Sequence, residues 1–176
     1  KLQVYFMMKN FKKGVMQVTD SQIAWGMIVI GLIAVMTYGA TLIFKSNSTT
    51  DLSTYSLIMN EMSGLRPSSG YGTTDYTVTL IKKDVLPKTV QTSGGTKILN
   101  RNGGDITIVG AGNGFTLSTE KVGQGDCIDA ASHLSVGKVT TTKINGTSFT
   151  GEVTAPAASA ACISGNTNTI SFTTSS

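Results

Sequence analysis

The chain has 176 residues, of which only 14% are charged, and a formal net charge of +4. This is room for one globular domain and an appendage. Lys1, Lys9, Lys12 and Lys13 all precede Val15 with no acid among them, and after them ten Lys/Arg balance ten Asp/Glu. The excess is therefore local, which argues against a basic nucleic-acid surface on the rest of the chain.

Residues 1–14, KLQVYFMMKNFKKG, form a basic leader. It begins without Met, and Met7 and Met8 are candidate starts. An uncharged run of 22 residues follows from Ile23 to Phe44. At ~1.5 Å per residue it reaches roughly 33 Å as a helix. That suffices for a ~30 Å hydrocarbon core, and the cationic flank fits a cytoplasmic side. We read one long helix from Val15 to Leu65. Gly26, Gly31 and Gly39 interrupt it, either as close-packing glycines or as points where it can unwind. Lys45 to Asp51 is a further turn or a short break. Beyond it, Leu52, Tyr55, Ile58 or Met59, Met62 and Leu65 recur at steps of three or four, one buried stripe. Gly64 and Pro67 stop the helix.

The remainder is rich in Gly, Ser and Thr. Residues 68–75 read as a loop, and the alternation of Tyr76 to Lys83 predicts a strand. Asp84 to Gly95 reads as a connection. Ile106 to Val109 opens a hairpin that returns through Gly114 to Ser118. Asp126 to Ser135 reads as a helix with Cys127, Ala130, Ala131 and Leu134 on one face. Lys138 to Lys143 and Ser148 to Val153 are strands about the turn INGT, Ala155 to Ala161 is a small-residue loop, and Thr169 to Thr173 is a closing strand. The class is α+β: an apolar helical stem and a head of antiparallel sheet packed on the helix.

Signals for catalysis are poor. GAGNG at Gly110 to Gly114 lacks the following helix of a dinucleotide site and reads as a hairpin turn. His133 and Asp129 share a helix face, but no nucleophile elbow accompanies them. One His and two distant Cys make no metal site, and no cofactor is expected. Asn47-Ser48-Thr49 and Asn145-Gly146-Thr147 match a glycosylation acceptor pattern, as chance allows in this composition. Cys127 and Cys162 are one disulfide if the head is exported, or two core thiols. Asp20 precedes the apolar run, where an unpaired charge is expensive to bury. It serves either the positive end of the helix dipole or an amine created by cleavage at Gly14.

KNFKKG, the following residue, the acid soon after and the long apolar helix together resemble the start of a type IV prepilin. LSTYSLIMNEMSGLR resembles the end of a pilin stem helix, ILNRNGGDITIVG an Asn-x-x-Gly-Gly turn and strand, and GDCIDAASHL the helix bearing the first pilin cysteine. The set is similar to type IVb pilins, in particular PilS-type thin-pilus and bundle-forming pilins.

The resemblance implies the type IV pilin fold, a leader at 1–14, a transmembrane and filament-core half-helix at 15–45, and a head at 46–176. A Cys127–Cys162 disulfide would bound the region 127–162. A prepilin peptidase would cut between Gly14 and Val15 and usually methylate the Val15 amine. An assembly ATPase and a platform protein would move the subunit from the bacterial inner membrane into an extracellular pilus, a helical polymer of itself. Pilins of this group carry Glu at the fifth mature position. Here that position is Thr19, and Asp20 is the candidate substitute. The function implied is the major structural subunit, not an enzyme, with an unidentified receptor on a host or recipient cell. A minor pilin or tip adhesin and a secretion pseudopilin are the alternatives. Length favours the major subunit, since an adhesin adds a distal domain.

Overall fold

The computed structural model describes residues 51–175. The leader, the apolar run and the proposed stem to residue 50 lie outside them.

Residues 51–64 form helix α1. The three-and-four spacing puts Tyr55, Ile58 and Met62 fully inside, with Leu52, Met59 and Leu65 partly buried beside them. This is the single stripe expected of a helix laid on a core. The helix ends leave carbonyls without helical partners. Tyr71 meets one of them, its hydroxyl donating to the Met62 carbonyl at 2.6 Å. At the middle of the helix, the Tyr55 hydroxyl lies 3.2 Å from Thr119 Oγ1.

The core lies between α1 and a seven-stranded antiparallel sheet: β1 (Gln91–Ser93), β2 (Lys97–Leu99), β3 (Asp105–Ala111), β4 (Gly114–Val122), β5 (Val139–Ile144), β6 (Thr147–Thr150) and β7 (Asn168–Thr174). Their order is β1-β2-β3-β4-β7-β5-β6. The last strand thus sits between β4 and β5 and joins the two halves. Alternation buries Ile106 and Ile108 of β3 and Ile170 and Phe172 of β7 on one face, as an antiparallel sheet with one packed face requires. The β5–β6 turn needs positive φ at both central residues, and Asn145 and Gly146 adopt 49° and 92°.

Helix α3 (Gln124–Leu134) buries Cys127, Ala130, Ala131 and Leu134, the face expected from sequence. The 106–118 hairpin, the two strands around INGT and the closing strand also form.

Three expectations are corrected. Tyr76 to Lys83 is not a strand; it contains helix α2 (Thr77–Lys82). Asp75 Oδ1 accepts the Thr77 amide at 2.8 Å and opens the turn. Thr77 and Leu80, three apart, are the residues buried. The Thr77 hydroxyl also accepts the Ile108 amide, capping a sheet position that a strand would have paired. Ala155 to Ala161 is helix α4, not loop. Alanine is the best helix former, and Pro156 falls in the first turn, where a missing N–H costs nothing. Asp84 to Gly95 includes strand β1, whose polar residues QTS are wholly exposed and carry no alternation to read.

Candidate functional site

The C-terminal half of the head is organised around one covalent and one polar centre. Cys127, in the first turn of α3, and Cys162, at the end of α4, form a disulfide with Cα atoms 6.0 Å apart. Between them lie β5, β6 and α4. The polar centre is Asn168, fully buried. Its Nδ2 donates to the carbonyls of Val122 at 3.0 Å and Ile163 at 2.9 Å. Its Oδ1 accepts the Ile163 amide at 2.7 Å and Asn145 Nδ2 at 2.8 Å. One side chain therefore ties β4, the segment after the disulfide and the β5–β6 turn together. Asn145 also donates to the Ala161 carbonyl and accepts the Thr169 amide. Its side chain is engaged in structure, although the sequence offered it as part of an acceptor pattern.

A second junction is the turn Asn100 to Gly104. Asn100 Oδ1 accepts the amides of Asn102 and Gly104, at 3.0 and 2.8 Å. Its Nδ2 donates to Thr119 Oγ1 and to the Glu120 carbonyl. Gly103 has φ of 70°. A Cβ on Gly104 would lie 1.9 Å from the Glu120 carbonyl oxygen. The Asn and both glycines of the motif thus each have a physical reason. The turn presents Arg101, whose Nη2 bonds Asp126 at the start of α3 and whose Nε lies 3.8 Å from Asp51 of α1. Both carboxylates are buried. Burial raises the Asp51 pKa above the ordinary carboxylate value, with the Arg101 contacts opposing the rise. Sequence reasoning found the turn but not Arg101's partners, which lie 50 and 25 residues away.

His133 is exposed and its Nδ1 lies 2.8 Å from the Asp129 backbone carbonyl. The ring is spent on its own helix. Among the described residues no group of three or more His, Cys, Asp or Glu could hold a metal ion, and no helix is long and apolar enough to cross a membrane. The run Ile23 to Phe44 lies outside those residues. So do Gly14, Val15, Thr19 and Asp20. Of the residues singled out from sequence, the structure brings together Cys127 and Cys162.

A family model described as PilS N terminal matches residues 45–175. The chain belongs to the PilS family of type IVb pilins. It is similar to the crystal structure of type IV b pilin from Salmonella typhi, at 30% identity and a TM-score of 0.58, over 75% of this chain and 99% of that one. No curated protein matches. The antiparallel sheet with its helices is the head of a type IV pilin, and the pilin is a pilus subunit by family. In this light the two junctions have a mechanical meaning. Arg101 fastens the described start of α1 to the sheet turn and to α3. The disulfide fastens the C-terminal region to the same helix, and Asn168 fastens it to β4 and to the β5–β6 turn.

Proposed function

We propose that this pilin is the major structural subunit of a type IVb pilus, polymerising through a long N-terminal helix for adhesion, aggregation or mating-pair contact. A pilin head preceded in sequence by the basic leader Lys1 to Gly14 and the uncharged run Ile23 to Phe44 is the observation that carries this reading. A prepilin peptidase cuts between Gly14 and Val15. The run then holds the subunit in the inner membrane until an assembly ATPase and platform protein add it to the filament. There the stems pack together and the heads face outward.

Asp20 has a place in this mechanism. Moving the stem from lipid to a packed core leaves its carboxylate in need of a partner. The leader's cations are gone after cleavage. The next basic side chain along the chain is Lys45, about 37 Å away on a helix at ~1.5 Å per residue. The Val15 amine of a neighbouring subunit is at a suitable depth and would set the axial register of addition.

A minor pilin at the tip would share the fold and the cleavage but not the abundance. Quantitative mass spectrometry of sheared, purified filaments separates them. As major subunit the chain dominates the filament protein; as minor pilin it is a trace component beside another pilin.

A further inference from the structure

Among the described residues only three large apolar side chains stand exposed, and two of them are the most exposed: Ile163 at 53% and Val136 at 50%. Ile163 is not on a loose loop. The buried Asn168 holds its amide at 2.7 Å and its carbonyl at 2.9 Å, and the preceding residue is the disulfide-bonded Cys162. It is a preorganised knob, so burying it against a partner loses little conformational entropy. Val136 sits instead in a cleft of about 400 Å³ whose walls include Met59, Tyr71, Phe115 and Leu134.

Knob and cleft lie at opposite ends of α3. The Gln124 amide donates to the Gly165 carbonyl and Gln124 Nε2 to the Cys162 carbonyl, which set the knob at the first residue of that helix. Leu134, its last residue, lines the cleft. Helix α1 runs the same way. Asp51 and Asp126 meet at Arg101 near one end, and from Ser56 to Ser63 the helix lines the cleft, which Leu134 shares. The far end of the cleft thus lies about the length of α3 from the knob, ~16 Å at 1.5 Å per residue.

We infer that the Ile163 knob of one head seats in the Val136 cleft of a second copy, a head-to-tail contact that repeats along α1. The inference rests on the pilus-subunit reading and names the surfaces that reading needs. A contact between two different patches does not close on itself as a dimer does; it propagates into an open filament. Charge agrees with this occupant. Arg66, His133 and Lys138 line the cleft and no acid does. Residues 155–168 around the knob carry no charge, so the insertion brings no cation to a cationic wall.

The test uses filaments assembled from the full chain. In the double variant Val136→Cys with Ile163→Cys, mild oxidation should give a ladder of covalent trimers and higher multimers on a non-reducing gel, with no ladder from either single variant. Ile163→Lys should lower filament yield by about tenfold, with the processed, disulfide-bonded subunit still present in the membrane, while Ile163→Leu keeps the parent yield. Absence of the ladder together with parent-like yield from Ile163→Lys overturns the contact. Dimers linked through position 163 in the single variant also overturn it, in favour of a symmetric pairing. Failure of the parent chain to form filaments at all contradicts the pilus-subunit reading itself, and is read from the parent alone.

Discussion

Asn100 and Gly104 bond each other twice: the Asn100 amide donates to the Gly104 carbonyl at 2.9 Å, and Asn100 Oδ1 accepts the Gly104 amide at 2.8 Å. The turn they close has no room for a side chain at its last position. Gly104→Ala should therefore cost about 3 kcal/mol or more, because its Cβ would meet the Glu120 backbone rather than a movable side chain. Gly103→Ala meets open space and only a positive φ, and should cost about 1 kcal/mol. Chemical denaturation of the two purified variants checks the order. Equal costs would refute the close-approach explanation.

The disulfide and Asn168 hold overlapping parts of the head by different means. Loop-closure entropy across the 35-residue separation is worth about 3–4 kcal/mol. Asn168→Ala leaves the Val122 and Ile163 carbonyls and the Ile163 amide without the bonds they have now, at about 1–3 kcal/mol for buried groups left unpaired. The two changes share a segment, so their effects should not add. A double-mutant cycle on Cys162→Ser and Asn168→Ala, read by thermal unfolding, measures the coupling; strict additivity would show two independent fastenings.

Asp51 gives the head a pH dependence of definite sign. Burial raises its pKa above 3.8, so folding favours the protonated form. Its contribution is full below pH 3.8 and is lost as pH rises through the raised native value. Asp51→Asn removes that loss. We expect a flatter stability profile just above pH 3.8, and stability at pH 7 within about 1 kcal/mol of the parent. A profile unchanged by the substitution would place the titration elsewhere.

Asp20→Asn should leave the subunit processed and membrane-inserted while filament yield falls sharply; Thr19→Ala should change little. Immunoblotting of membrane and sheared fractions reads both. Parent-like filament yield from Asp20→Asn would reduce the acid to a helix-end charge.

Much of the head could be read from residue spacing, and the failures have physical causes. The stripe of Tyr55, Ile58 and Met62 and the face of Cys127, Ala130, Ala131 and Leu134 are strong because burial on one side of a helix imposes its period. Helix α2 misled because YTVTLIKK alternates like a strand. The side-chain bonds of Asp75 and Thr77 decide otherwise, and no periodicity encodes them. Helix α4 was masked by small residues that suit a loop or a helix equally. Of the junctions, the Asn-x-x-Gly-Gly turn is visible because its glycines are compulsory. Asn168 is not, because nothing in its local sequence marks it, and its importance comes from four bonds to three residues, Val122, Asn145 and Ile163.

The most direct test of the central claim is the intact mass and N-terminal sequence of the subunit in filaments sheared from cells and purified. The account predicts that this chain is the dominant filament protein and begins at Val15, with Lys1 to Gly14 absent. Filaments that lack the chain, or a filament subunit that retains Gly14, would contradict it.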